Sequence, residues 1–96
     1  MRRASSLEVP VIEIAEPTTV LEEIARVVHD ELGVARPVDA NVDLLQDLAL
    51  DSLAILTLVV ALEDRFRVAL KEEDAGEIRT AGELAQLVAR RAREQA

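Results

Sequence analysis

The sequence has no cysteine, tryptophan or tyrosine, and Phe66 is its only aromatic residue. Without cysteine the chain can form neither a disulfide framework nor a thiolate metal site. Half of its 96 residues are hydrophobic, so its core has to be built from leucine, valine, isoleucine and alanine. Sheets favour aromatic and β-branched residues, and this composition therefore favours helices packed on helices. We predict an all-α fold with one main domain.

Basic residues are missing from most of the first two thirds of the chain. Between Glu8 and Asp64 the only basic residues are Arg26 and Arg36, and the formal net charge of the chain is −8. A surface of this kind repels phosphate backbones and anionic lipids, which argues against nucleic acid and membranes as partners. Acidity alone leaves two interpretations open, which are simple solubility and attraction to basic patches on larger proteins.

Long apolar runs are also missing, because Glu63 and Asp64 end the longest one before it reaches the length of a membrane span. Near the N-terminus, Glu8 and Pro10 interrupt the apolar residues that a secretory signal would need. We therefore expect a cytoplasmic protein. The segment 1–16 is predicted to be a flexible extension; the alternative is a short strand-like arm that docks on the domain.

Two helices are marked by T-x-x-E capping boxes. Thr19 and Glu22 form the first box, and the apolar periodicity that follows ends at Gly33, a residue typical of the position after a helix. Thr80 and Glu83 form the second box, ahead of the last helix. The sequence thus predicts a first helix that ends at Gly33 and a last helix that starts after Thr80.

A further helix is predicted from about Ser52 to Phe66. It is apolar on nearly all sides over its first three turns, which indicates that part of its surface contacts a partner or cargo. The long connection 34–51 before it needs apolar anchors if it is to pack down. Three leucines are predicted to pin it: Leu44, Leu45 and Leu48. A short helical turn is expected near 72–77.

No metal site or catalytic set is predicted. The segment 39–50 begins like a calcium loop, but Leu44 and Leu50 stand where an EF-hand needs its glycine and its glutamate. His29 is the only histidine, expected at the surface, and Ser52 lacks the flanking glycines of a nucleophile elbow. We expect a protein that is not an enzyme.

Ser52, in the stretch LALDSLAIL, has two interpretations. Asp51 or Ser52 could merely cap the helix that follows. Alternatively, Ser52 could carry an attached phosphate, because a helix start offers unpaired N–H groups and a positive dipole end; Leu53 would then point inward and hold the serine at an exposed corner. On these three residues alone, capping is the better explanation.

The surrounding sequence resembles a known family. The stretch LLQDLALDSLAILTLVVALEDRF resembles the signature region of acyl carrier proteins, the phosphopantetheine-bearing carriers of fatty acid, polyketide and related synthesis. The matching features are D-S-L, an upstream D-L and a later A-L-E-D-x-F. The segments ELGV and IRTAGELAQLV also resemble the corresponding family segments. The resemblance covers about residues 17–88.

This resemblance implies a four-helix bundle of acyl-carrier type, with three main helices, one short helix and a long loop after the first. It implies a carrier domain at 17–90 and a C-terminal tail at 91–96. It also implies 4′-phosphopantetheine esterified to Ser52, between Asp51 and Leu53, with an acyl group held as a thioester. The implied partners of this monomer are a phosphopantetheinyl transferase and acyl-loading, condensing and tailoring enzymes.

One departure from the family pattern concerns the partner surface. Ala54 and Thr57 stand where the fatty-acid members frequently have acids. This argues against service in a housekeeping fatty acid synthase, and a dedicated polyketide, lipid or aminoacyl pathway fits at least as well; fatty acid, polyketide and related biosynthesis all stay open. The predicted partner face consists of Asp47, Ala54, Leu56, Thr57, Val60, Glu63 and Asp64. The alternative function is a non-catalytic helical adaptor that binds a protein groove through its apolar second helix.

Overall fold

A computed structural model describes residues 15–95 of the protein. They form three main helices and one helical turn: α1, Pro17–Arg26, which continues as a π-helical turn over Val27–Glu31; α2, Ser52–Phe66; the single turn α3, Glu72–Ala75; and α4, Ala81–Gln95. The prediction of an all-α fold with a long loop after the first helix is confirmed. The predicted extension 1–16 lies almost wholly outside the described residues and stays a prediction.

The start of α1 differs from the prediction. Glu16 is the N-cap residue and Pro17 occupies the first turn, so Thr19 and Glu22 lie inside the helix and do not form a capping box. Proline favours a first helical position because its ring fixes φ near the helical value and because the first N–H groups have no partner within the helix. The prolyl ring, rather than the threonine, therefore sets where α1 begins.

The end of α1 agrees with the prediction. Val27 and Val28 in the π-helical turn are both fully buried. The chain then leaves the helix at Gly33, which has a φ of 70°, a conformation that glycine adopts without steric penalty. The Val34 N–H donates to the Val28 carbonyl oxygen at 3.0 Å, which closes the π-helical end of the helix.

The core lies between α1, α2 and α4 and is aliphatic apart from Phe66. From α2 it receives Leu58, Leu62 and Phe66, which are spaced four residues apart and share one helical face. α1 contacts both of the other long helices. The remaining fully buried large side chains are Val20, Ile24, Val27, Val28, Leu84 and Val88.

The long loop is anchored by three leucines, but not by the three that we predicted. Leu44, Leu48 and Leu50 are buried, whereas Leu45 is 58% exposed. The Asp43 carboxylate accepts hydrogen bonds from the N–H groups of Leu45 and Gln46 and so shapes a tight turn. In this turn Leu44 is buried and Leu45 is exposed, so the prediction for Leu45 was wrong.

Polar contacts also hold the loop in place. The His29 Nε2 atom lies 2.7 Å from the carbonyl oxygen of Arg36, and the Arg36 guanidinium donates to the carbonyl oxygen of Asp47 at 2.7 Å. His29 is exposed, as predicted. An antiparallel bridge between Asp43 and Thr80 joins the loop to the start of α4.

The predicted capping box of α4 is confirmed. The Glu83 N–H donates to the Thr80 hydroxyl and the Thr80 N–H donates to the Glu83 carboxylate, both at 3.1 Å. The Arg79 N–H donates to the same carboxylate oxygen at 2.7 Å. The Arg79 and Thr80 N–H groups hold the pKa of the Glu83 carboxyl below its ordinary value, because they stabilise the charged form.

The helix α4 extends to Gln95, through most of the segment 91–96 that was predicted as a tail. Its last turns fasten the connection between α2 and α4. The Gln95 side chain exchanges two hydrogen bonds with the backbone of Ala69, both at 3.0 Å. The Arg91 guanidinium donates to the Asp74 carboxylate at 2.8 Å and is the main reason that the pKa of this carboxyl is lowered. These contacts explain why the helix continues.

Gly82 lets the loop approach α4 closely. Its N–H donates to the Ala40 carbonyl oxygen at 2.9 Å, and a Cβ at this position would lie 2.7 Å from that oxygen. We expect Gly82→Ala to lower the free energy of unfolding by about 1–3 kcal/mol, because the loop backbone has to move away. Urea unfolding followed by circular dichroism measures the change.

Gly76→Ala is the matched control for this prediction. Gly76 has a φ of −68°, and its added Cβ would meet only the Glu73 carbonyl oxygen at 3.7 Å. This variant should be unchanged or up to about 1 kcal/mol more stable, since alanine reduces the entropy of the unfolded chain. Equal losses in the two variants would show that the contact with Ala40 is not what requires glycine at position 82.

Candidate functional site

Ser52 is the first residue of α2, and Asp51 is its N-cap. The Asp51 carboxylate accepts a hydrogen bond from the Ala54 N–H at 2.8 Å, and the Asp51 carbonyl oxygen accepts one from the Ile55 N–H at 2.9 Å. The Ser52 side chain is exposed. Of the two residues that could cap the helix, Asp51 does so, and the serine hydroxyl is not needed for it.

The start of α2 has unused hydrogen-bonding capacity. Among the described residues, no partner accepts from the N–H groups of Ser52 or Leu53, and none bonds to the Ser52 hydroxyl. Unpaired N–H groups and the positive end of the helix dipole favour a negatively charged group here. The neighbouring Asp51 carboxylate is the one negative charge already placed at this helix end.

The predicted orientation of Leu53 was wrong, since this side chain is 70% exposed. The buried face of α2 begins later, at Leu58, and Leu53 lies outside it. The position of Ser52 is fixed instead from the preceding loop, where Leu50 is buried and Ala49 has a φ of 55°. Alanine rarely adopts this left-handed conformation, so no sequence signal marked this turn.

Four large apolar side chains are exposed near Ser52 and along α2: Leu45, Leu53, Leu56 and Val60. The sequence predicted that α2 would present apolar surface, and this is confirmed. Leu56 and Val60 are one turn apart and therefore share a face of the helix. Isolated exposed leucines are common, but a group of them on one helix is typical of an interaction surface.

Some of the predicted partner residues make hydrogen bonds within the chain, and others are simply exposed. The Asp47 carboxylate accepts the Asp43 N–H at 2.8 Å, the Glu63 carboxylate accepts the Leu70 N–H at 2.8 Å, and the Thr57 hydroxyl donates to the Leu53 carbonyl oxygen. Leu56, Val60 and Asp64 are exposed, and Ala54 is half-buried. The structure therefore gives Asp47 and Glu63 a role in shaping loops.

Two apolar clefts meet at Ser52. They share one side formed by Ser52, Ile55 and Val59, and another formed by Ile78 and Leu84. The loop cleft, of about 230 Å³, is completed by Leu44 and Leu45. The distal cleft, of about 240 Å³, is completed by Leu56, Glu63, Leu70, Lys71 and Leu87. Both clefts are lined mainly by aliphatic side chains and both begin beside the serine.

A larger groove of about 660 Å³ lies between α1 and α2, but Ser52 is not part of it. Its walls carry charged residues that pair with one another. The Arg26 guanidinium contacts Glu23 at 2.8 Å and Glu31 at 3.2 Å, and these bonds raise its pKa above the ordinary value. The apolar clefts, rather than this groove, are therefore associated with the serine.

Residues 15–95 contain neither a metal-binding cluster nor a membrane-spanning helix. No cluster of histidine, aspartate and glutamate side chains in this range is arranged to hold a metal ion. No helix in the described part of the chain is long and apolar enough to cross a membrane.

Comparison with known proteins identifies the family. A family model described as a phosphopantetheine attachment site matches residues 22–88. The acyl carrier protein of Tropheryma whipplei is 35% identical over 65 residues, which cover 67% of this chain and 79% of that protein. The chain belongs to the acyl carrier protein family.

The folds of solved acyl carrier proteins agree with this assignment. The crystal structure of an acyl carrier protein from Thermotoga maritima has a TM-score of 0.73 at 21% identity, and covers 83% of this chain and 94% of that one. The solution structure of the acetyl actinorhodin acyl carrier protein from Streptomyces coelicolor has a TM-score of 0.63 at 25% identity, and covers 79% and 93%. The bundle is thus of acyl-carrier type.

As an acyl carrier protein, the chain is a carrier rather than an enzyme, and its cofactor is a covalently attached 4′-phosphopantetheine group. The residues at the start of α2 fit such a group. They combine an exposed hydroxyl, unpaired N–H groups that suit a phosphate, and two apolar clefts. When bound, the group supplies a thiol that holds cargo as a thioester.

The capping geometry of this acyl carrier protein leads to a test of Asp51 against Ser52. We expect Asp51→Ala to lower the free energy of unfolding by about 0.5–2 kcal/mol, because the Ala54 N–H loses its acceptor. Ser52→Ala should change it by less than about 0.5 kcal/mol, since the serine hydroxyl bonds to no described residue. Urea unfolding of both variants measures the difference.

Asp51→Asn is the control, because asparagine retains an acceptor for the same N–H and caps helices well. Its free energy of unfolding should be close to that of the unsubstituted protein. If Ser52→Ala were as destabilising as Asp51→Ala, the serine would share the capping role, contrary to the geometry described above.

Proposed function

We propose that Ser52 is the attachment point of the phosphopantetheine group and that the protein carries acyl intermediates on it for a dedicated biosynthetic pathway. The observation that carries this proposal is the division of roles at the start of α2. Asp51 caps the helix, which leaves the exposed Ser52 hydroxyl available at the meeting point of two apolar clefts. The carrier domain, predicted at 17–90, is proposed to continue to the end of α4 at Gln95, and the protein is proposed to act as a cytoplasmic monomer.

The attachment step is a phosphoryl-group transfer from coenzyme A by a phosphopantetheinyl transferase. The Ser52 oxygen forms a bond to the β-phosphorus of coenzyme A, the bond from that phosphorus to the adenosine 3′,5′-bisphosphate breaks, and the transferase accepts the serine proton. The product phosphodiester carries a negative charge, which the positive end of α2 stabilises. Asp51, exposed beside the serine, is a proposed contact for the transferase.

The clefts support an acyl cargo. Between Ser52 and the far ends of the two clefts the walls consist of isoleucine, valine and leucine side chains. Burial of a methylene group against such walls is favourable by about 0.8 kcal/mol, whereas a charged aminoacyl amine would lose its hydration along these aliphatic walls. We therefore favour an acyl over an aminoacyl cargo.

The partner surface supports a dedicated pathway over a housekeeping fatty acid synthase. Positions 54 and 57 lack acids, and the Asp47 and Glu63 carboxylates accept hydrogen bonds from loop N–H groups. The exposed leucines of α2 offer apolar contact instead. Acyl-loading, condensing and tailoring enzymes are proposed to bind this surface mainly through shape and apolar area. A polyketide or lipid pathway is consistent with this.

The attachment proposal is tested by intact mass. Incubation with coenzyme A and a broad-specificity phosphopantetheinyl transferase should add the mass of one phosphopantetheine group to the protein, and Ser52→Ala should abolish the gain. A double variant, Ser5→Ala with Ser6→Ala, removes the only other serines and should gain the full mass. A mass gain in Ser52→Ala would refute the assignment, and no gain in any form would favour the helical adaptor.

Recognition is tested with the same transferase. Leu56→Asp should weaken its binding by about tenfold or more, because a charge replaces exposed apolar contact area and 1.4 kcal/mol corresponds to tenfold. Asp64→Asn, a change at an exposed carboxylate further along α2, should have a smaller effect. Salt screens exposed charge pairs but leaves apolar contact nearly unaffected, so titrations at low and moderate salt should differ little.

The opposite pattern would contradict this proposal. If Asp64→Asn were the more damaging change and moderate salt abolished binding, recognition would depend on charge, as in carriers with an acidic second helix. Far-UV circular dichroism of both variants checks that the bundle is intact, which is expected because Leu56 and Asp64 are both exposed.

A further inference from the structure

We infer that Glu63 is a specificity-determining residue, which closes the distal cleft at the end remote from Ser52 and so limits the length of the alkyl chain that the protein can bury. This inference rests on the proposed function, because it concerns the cargo carried from Ser52. It assigns to Glu63 a role different from the partner contact that the sequence predicted.

The distal cleft follows one face of α2. Ser52, Ile55, Val59 and Glu63 all line it, and their spacing of three or four residues places them on one side of the helix. Glu63 lies eleven positions after Ser52; at a rise of about 1.5 Å per residue, the two residues are about 16 Å apart along the helix axis. The cleft therefore has a defined start and a defined end.

The chemistry of the lining changes abruptly at that end. The residues between the two ends are aliphatic, with Ile55 and Val59 on α2 and Leu84 and Leu87 on α4. Among the described side chains, Glu63 and Lys71 are the charged ones that line the distal cleft. An alkyl chain gains free energy along the aliphatic part, but it would have to displace water from a carboxylate to extend past Glu63, which is unfavourable.

The Glu63 carboxylate also holds the end wall in place. Its Oε2 atom accepts the N–H of Leu70 at 2.8 Å, and Leu70 is itself part of the cleft lining. The adjacent Ala69 is fixed by two hydrogen bonds to Gln95. The end of the cleft is thus a fastened segment of backbone, which an incoming chain cannot push aside without breaking these bonds.

The substrate class that follows is an acyl group with a linear alkyl chain of limited length. The part of an alkyl chain that enters the distal cleft can be buried as far as Glu63, whereas methylenes that would extend past Glu63 remain in water. Each methylene that becomes buried should slow hydrolysis of the thioester by up to about fourfold, because burial of one methylene lowers the population of the open state by that factor. Beyond the limiting length, further methylenes should add no protection.

The experiment uses the full chain loaded with a series of linear acyl-coenzyme A compounds of increasing length and a transferase that accepts them. The hydrolysis rate of each thioester at mildly alkaline pH and the melting temperature of each acylated form are measured. The hydrolysis rate should fall and the melting temperature should rise as the chain lengthens. Beyond the limiting length, both quantities should stay constant. In Glu63→Ala, the limit should move to longer chains.

Two further variants make this test specific. Asp64→Ala removes the neighbouring carboxylate, which does not line the distal cleft, and should keep the original limit. Glu63→Gln retains an acceptor for the Leu70 N–H but removes the charge. It should move the limiting chain length to longer chains, but by less than Glu63→Ala does. This variant keeps the test valid if Glu63→Ala is poorly folded, since the length dependence is compared within each variant.

The inference is overturned if neither Glu63 variant moves the limit, or if Asp64→Ala moves it equally. Protection that keeps rising with chain length in the unsubstituted protein would overturn it as well. Failure of the proposed function looks different, because the transferase would then add no mass at Ser52 and no acylated form could be prepared.

Discussion

The proposed carrier site is made possible by one hydrogen bond, from the Ala54 N–H to the Asp51 carboxylate. A helix start has to satisfy several N–H groups, and in most proteins a serine at this junction would be used for that purpose. Here the residue before it does so, and the serine hydroxyl bonds to no described residue. Leu50, buried just ahead of the cap, fixes where the chain enters α2. Because Asp51 caps the helix, Ser52 is left exposed at a fixed position for the proposed attachment.

The helix α2 serves three purposes at once, which explains its unusual composition. One face, with Leu58, Leu62 and Phe66, is buried in the core. A second, with Ile55 and Val59, lines the clefts, and a third exposes Leu53, Leu56 and Val60. A helix that packs on one side only would show a polar stripe. Because all three faces of α2 are apolar, few positions remain for charged residues before Glu63.

The apolar composition of α2 also limits which structural features could be predicted from the sequence. Local signals identified the capping box at Thr80 and Glu83 and the end of the first helix at Gly33, because these depend on neighbouring residues alone. The orientation of Leu53 could not be predicted, since a helix that is apolar all round gives no sign of which face is buried. The roles of Leu45 and Glu63 depend on a turn at Asp43 and on contact with Leu70, neither of which has a sequence signature. The family resemblance rested on the D-S-L motif and its flanks, so Ser52 could be singled out without any knowledge of packing.

The exposed leucines and the strong acidity of the chain are physically connected. Several large apolar side chains on one helix would favour association of identical molecules, because each copy presents the same surface to the next. A net charge of −8 opposes this by mutual repulsion, which keeps proteins apart at working concentrations. A partner enzyme of neutral or basic surface does not experience that repulsion and can approach the same leucines. Under the proposed function, acidity therefore serves to discriminate between partner enzymes and other copies of the carrier, while the apolar surface of α2 supplies most of the contact.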